Sequence, residues 1–108
     1  MPEHDSVLAG IPVVAPQGDL DATTVQPLIE ELEEVGRGHG AVILDADGIG
    51  FADSSFLNVL LRFHKTIDLR IARPSVAVRR LLEITGAGVV LSTYPTVPEA
   101  QKTASVTD

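Results

Sequence analysis

Two hydroxyls and a carboxylate stand at the lip of the most apolar stretch of this chain. Phe51-Ala52-Asp53-Ser54-Ser55 runs into Phe56-Leu57-Asn58-Val59-Leu60-Leu61, where only Asn58 is polar. Asp and Ser at such a place are ordinary helix N-caps, because their side-chain oxygens accept from the free N–H groups of the first turn. Three in a row also suit a nucleophile, a metal site or a modified hydroxyl. A second group lies upstream, Gly18-Asp19-Leu20-Asp21-Ala22-Thr23-Thr24.

Each chemistry makes demands on the rest of the chain. Asp19-Leu20-Asp21-Ala22-Thr23 fits the DxDxT pattern of haloacid-dehalogenase-like phosphatases, which follows a buried strand directly. Here Pro16-Gln17-Gly18 intervenes, and the chain is short for that enzyme core. A serine nucleophile at Ser54 needs a histidine, but His4, His39 and His64 fall in a tail, a loop and a distant helix turn. No Gly-x-Ser-x-Gly elbow is present. No second His or Asp stands at ligand spacing from His64, so no metal is expected. Gly36-Arg37-Gly38-His39-Gly40 follows a helix and precedes a strand, the reverse of a phosphate-binding loop. The reading is therefore of a protein that is not an enzyme and carries no cofactor.

Composition narrows the partners. The net charge is −7, with 15 acidic against 8 basic residues, so a phosphate backbone has no basic face to meet. Aromatics are only 4%, which disfavours base stacking. Apolar residues reach 44% over 108 residues, enough for one packed domain. There is no cysteine and hence no disulfide framework, which fits a cytoplasmic setting. No apolar run approaches the roughly 20 residues of a membrane span, and Met1 to Gly10 lacks the regions of a signal peptide.

The elements that position these groups follow from periodicity. Val7–Ala9 and Ile11–Ala15 read as two strands around Gly10. Asp21 is a candidate N-cap for a helix with Val25, Leu28, Ile29, Leu32 and Val35 on one face, ending at Gly36-Arg37-Gly38. Glu30, Glu31, Glu33 and Glu34 form its solvated side. Ala41–Leu44 is a buried parallel strand, and 47–50 is a loop. Asp53-Ser54 opens a second helix with Leu57, Leu60, Leu61 and His64 on one face. Leu69–Ala72 is a strand. Ser75 caps a third helix with Val78, Leu81 and Leu82 inward, stopped at Gly86. Val89–Leu91 is the last strand, and Pro98 begins a terminal helix through about Ala104. The order β-β-α-β-α-β-α-β-α predicts a single α/β domain, with helices on a mixed, mostly parallel sheet. In such sheets function gathers at the C-terminal ends of the strands. The loops 18–24 and 49–55 both qualify.

Three stretches together resemble the STAS domain of bacterial anti-sigma factor antagonists, over about residues 7–100. Residues 18–24 resemble its G-[ED]-L-D-x-x-[TS] loop. AVILDADGIGFADSS, residues 41–55, resembles its strand, loop and D-S-[ST]-G motif. PSVAVRRLLEITG, residues 74–86, resembles its P-x-V-x-R-x-L-x-x-x-G helix. The resemblance implies that Ser54, with Ser55 as the alternative, is phosphorylated by an anti-sigma factor that is also a serine kinase. It further implies that the unmodified chain binds that factor and releases a sigma factor for transcription. A serine phosphatase restores the unmodified form. Asp19, Asp21, Thr23, Thr24, Asp53, Ser54, Ser55 and Phe56 would make the partner surface. The chain departs from the pattern at Phe56, where the family has glycine, and at Thr66-Ile67-Asp68, which is shorter and lacks a glycine. The departure at Phe56 leaves a second reading open: a STAS interaction module without phosphorylation, within a larger signalling or transport assembly. By residue physics alone, Asp53-Ser54 as a plain cap is the simpler alternative.

Overall fold

A computed structural model of the protein describes residues 10–102. The strand expected at Val7–Ala9 lies outside the described residues. The described residues form the strands β1 (Val13–Val14), β2 (Gly18–Leu20), β3 (Ala41–Asp45), β4 (Ile49–Ala52), β5 (Asp68–Ala72) and β6 (Ser92–Tyr94). The helices are α1 (Gln26–His39), α2 (Ser54–His64), α3 (Val76–Thr85) and α4 (Val97–Lys102), with a short 3-10 turn at Ala87–Val89. β1, β3, β5 and β6 form one sheet in the order β1-β3-β5-β6, and β2 and β4 form a separate ladder. Every described pairing is parallel. The expected class, a single α/β domain with helices packed on a mostly parallel sheet, is what the chain adopts.

The core follows from strand alternation. Val42 and Leu44 of β3 and Ile71 of β5 face a large cluster with Leu28 and Leu32 of α1, Phe56 and Leu60 of α2, and Val78 and Leu82 of α3. Ile43 and Ala72 face the other way, against Ala100 of α4, with Ile11, Tyr94 and Val97 at the edge. Burial on both faces is why 41–44 is a continuous apolar run rather than an alternating one. Arg70 shares the α4 face and is 7% exposed. Its guanidinium donates to Asp68 at 2.6 and 3.2 Å and to the Ala100 carbonyl at 2.6 Å, so it ties α4 to the sheet.

Several boundaries differ from expectation. Gly18–Leu20 and Ile49–Ala52, expected in loops, are strands, because each finds its hydrogen-bonding partner in the other. α1 begins at Gln26 with Pro27 in its first turn, and Val25 precedes it without a side-chain cap; Asp21 is not its N-cap. α1 also runs through Gly36 and Gly38 and stops at Gly40 (φ 73°), so His39 ends a helix and is not in a loop. A Cβ at Gly36 would stand 3.2 Å from Ile67 Cγ2, so glycine here permits a close helix contact. Val89–Leu91 is not a strand: Gly86 (φ 77°) ends α3, the 3-10 turn follows, and β6 begins at Ser92. The cap at Ser75 is as expected, its hydroxyl accepting from the Val78 N–H at 3.2 Å.

Candidate functional site

The segment carrying β1 and β2 runs beside the segment carrying β3 and β4. Val13 and Val14 pair with Ile43 and Leu44; farther on, Gly18, Asp19 and Leu20 pair with Ile49, Phe51 and Ala52. The register shifts between Gly18 and Asp19, near Gly48, whose carbonyl accepts from the Gly18 N–H at 2.9 Å. Each segment places an aspartate one residue beyond its last paired position. Parallel pairing thus brings the Asp21 turn and the Asp53 turn to one end of the ladder, which neither motif states alone.

Asp21 organises its own turn. Its Oδ1 accepts from the Thr23 N–H at 2.9 Å and the Thr23 hydroxyl at 2.7 Å, and its N–H donates to Thr24 Oγ1 at 2.8 Å. The Thr24 hydroxyl in turn donates to the Asp19 carbonyl at 2.8 Å. The Thr23 hydroxyl and N–H hold the Asp21 carboxyl below its ordinary value, because they favour the charged form. The side chain therefore shapes residues 21–24 and leaves α1 to start later. Asp19 is exposed beside it.

Asp53 behaves as the sequence predicts. It is extended (φ −128°), its carboxylate accepts from the Ser55 N–H at 2.9 Å, and its carbonyl accepts from the Leu57 N–H at 3.1 Å. Ser54 is the first residue of α2 and is exposed, whereas Ser55 is half-buried. Phe56 is the correction. It was expected on a partner surface but is 0% exposed, among the largest fully buried side chains of the core. Third in the helix, it points inward while Ser54 points out, about 200° apart at 3.6 residues per turn. Phe56 therefore neither covers Ser54 nor presents a ring to a partner.

Two residues near this end were not singled out from sequence. Phe51 stands half-exposed on β4, opposite Asp19. Arg73, just past β5, adopts φ 52° and is the one non-glycine in the left-handed region among the described residues. Its guanidinium donates twice to Asp45, at 3.0 Å each, and lies 3.7 Å from Asp47. The Arg73 bonds hold the Asp45 carboxyl below its ordinary range. The pair pins the β3–β4 connection to the start of α3. Among the described residues, no three acidic or histidine side chains gather to hold a metal, and no helix is long and apolar enough to cross a membrane.

A ladder ending in two aspartate turns, one capping a helix behind an exposed serine, is set on an α/β sheet. The sequence profile of the STAS domain matches residues 2–100, and the chain belongs to that family. Among solved structures, it is similar to an anti-sigma factor antagonist from Mycobacterium paratuberculosis. The TM-score is 0.76 and the identity 24%, over 84% of this chain and 82% of that one. It is also similar to the anti-sigma factor antagonist SpoIIAA in its unphosphorylated form (TM-score 0.67, 21% identity, 82% of each chain). A Thermotoga maritima structure scores 0.72 at 22% identity, over 82% of this chain and 83% of that one. At these identities the likeness shows the fold. No curated protein matches the sequence.

Proposed function

We propose that this protein is an anti-sigma factor antagonist. Its unmodified form binds an anti-sigma factor that is also a serine kinase, and phosphorylation of Ser54 ends the binding. The observation that carries this reading is Ser54 itself: an exposed side chain on the first residue of α2, directly after the Asp53 cap and lying at the same ladder end as the Asp21 turn. A phosphate there adds about −1.5 to −2 charges at pH 7. The free N–H groups of the first turn favour it by about 0.3–1 kcal/mol, so the fold tolerates the modification. A partner surface matched to neutral Ser54 beside Asp21 and Asp53 then meets a concentrated anion. Like-charge juxtaposition costs several kcal/mol, and about 1.4 kcal/mol is tenfold in affinity. Partner release thus needs no refolding. The similar SpoIIAA structure is of that antagonist's unphosphorylated form, which accords with this reading. The burial of Phe56 also supports it, since the residue that departs from the family pattern leaves Ser54 open. A serine phosphatase would reset the switch, in the cytoplasm where sigma factors act.

The test is incubation with the cognate kinase-type anti-sigma factor and Mg-ATP, followed by peptide mass mapping. Phosphate is expected on Ser54. Ser54→Ala should stay unmodified and bind constitutively, and Ser54→Asp should bind at least tenfold more weakly. Modification of Ser55 alone, or of nothing, would overturn the assignment. The non-phosphorylated interaction module would then be the reading that remains.

A further inference from the structure

One face near the Ser54 end has no use so far. Ala77, Leu81 and Ile84 lie on one stripe of α3, with Arg80 between them, at helical spacing. Together with Phe51 and Gly50 of β4 they line an open groove of about 300 Å³. Phe51 is 49% exposed and Ile84 77%, large apolar areas to leave in water. Arg80 and its neighbour Arg79 are exposed and make no ion pair with the other described residues. Of the two, Arg80 lines the groove, so one cation without an ion pair to the other described residues stands beside its apolar floor on a chain of net charge −7, while Asp19 approaches it at Gly50. The groove is also continuous with the candidate site, because Phe51 and Ala52 lead directly into Asp53 and Ser54.

We propose that this groove docks an amphipathic helix of the anti-sigma partner that carries carboxylates beside its apolar face; the inference rests on the antagonist reading above. The apolar face of such a helix covers Phe51 and Ile84. Its carboxylates meet Arg80, whose charge a neutral or basic segment would leave unmatched. The Asp19, Asp21 and Asp53 turns repel carboxylates, so the charged edge of the helix is directed to the Arg80 side of the groove. Addition of a phosphate at Ser54 would place negative charge beside the seated carboxylates, so the groove and the switch act on one partner.

The test uses the full chain and two probes. The first is the anti-sigma factor that binds it, measured by calorimetry against wild type, Phe51→Ala and Arg80→Glu, all at exposed positions, with thermal unfolding as the check on folding. Each variant is expected to bind at least tenfold more weakly. A carboxylate-to-arginine change on the partner helix should rescue Arg80→Glu and not Phe51→Ala. Wild-type binding with both variants within twofold overturns the groove and leaves the antagonist reading standing. No wild-type binding at all removes that reading, and the second probe then decides the groove. A synthetic Leu/Glu amphipathic peptide should give saturable, salt-sensitive NMR shifts at Phe51, Ala77, Leu81 and Ile84, and its Leu/Lys counterpart none. No shifts there, or a preference for the lysine peptide, overturns the groove as an acidic-helix site.

Discussion

Replacing Phe56 by the glycine of the family pattern should nearly unfold this protein rather than uncover its serine. The ring is wholly buried in the main core, against the sheet. Losing it forfeits about 1.5–3 kcal/mol of transfer free energy. The cavity left behind brings the total for Phe56→Ala to about 3–5 kcal/mol. Glycine in the first turn of α2 adds up to about 1 kcal/mol of helix propensity. A domain of this size holds only about 5–15 kcal/mol in all, so Phe56→Gly removes much of it. There is no tryptophan and one tyrosine, so urea unfolding is best followed by far-UV circular dichroism. At a slope of about 1–3 kcal/mol per molar, Phe56→Ala should lower the midpoint by about 1 M or more, with the slope unchanged. Phe56→Leu, which keeps most of the volume, should lose much less. A shift below about 0.3 M for Phe56→Ala would refute the placement, and the ring would have to lie at the surface.

Two further substitutions check the site's scaffold. Asp53→Ala should cost about 0.5–2 kcal/mol in thermal unfolding and Asp53→Asn much less, because only the first removes the acceptor for the Ser55 N–H. At residue 73, Arg73→Gly should be more stable than Arg73→Ala by about 0.5–1 kcal/mol, since both lose the pair with Asp45 but glycine alone relieves φ 52°. Asp45 titrates below its ordinary value of 3.8 when folded, chiefly through its Arg73 bonds. Its contribution is therefore complete above that pH and is lost as pH falls through the folded value. The stability gap between wild type and Arg73→Ala, read from melts between about pH 2.5 and 7, should be widest near neutrality and close at the acid end. A gap that widens in acid would contradict the pairing.

Signals local to the chain were enough to locate α2, α3, β3 and β5 within a residue or so. Asp53 and Ser75 cap through their own neighbours, Gly86 ends α3 through its own φ, and Ala41–Leu44 is apolar throughout because both faces are covered. Interactions within a few residues decide such features, so the sequence carries them openly. The α/β class and the exposed side chain at Ser54 follow from the same signals. What only the three-dimensional structure decided depends on distant partners for the paired strands, and elsewhere on which of several competing local bonds forms. Gly18-Asp19-Leu20 and Ile49-Gly50-Phe51-Ala52 have little strand character of their own, and each is a strand because the other supplies its hydrogen bonds. Asp21 has the chemistry of a helix cap, yet Thr23 and Thr24 capture its carboxylate first. Val89-Val90-Leu91 looks like a buried strand, but the stop at Gly86 sends it into a turn that leaves Val89 89% exposed. Phe56 shows the same division within one residue. Helix geometry alone turns it away from Ser54, whereas only the packing of α2 on the sheet could make that direction the core rather than a partner's surface, because burial is a property of the assembled elements and not of the helix.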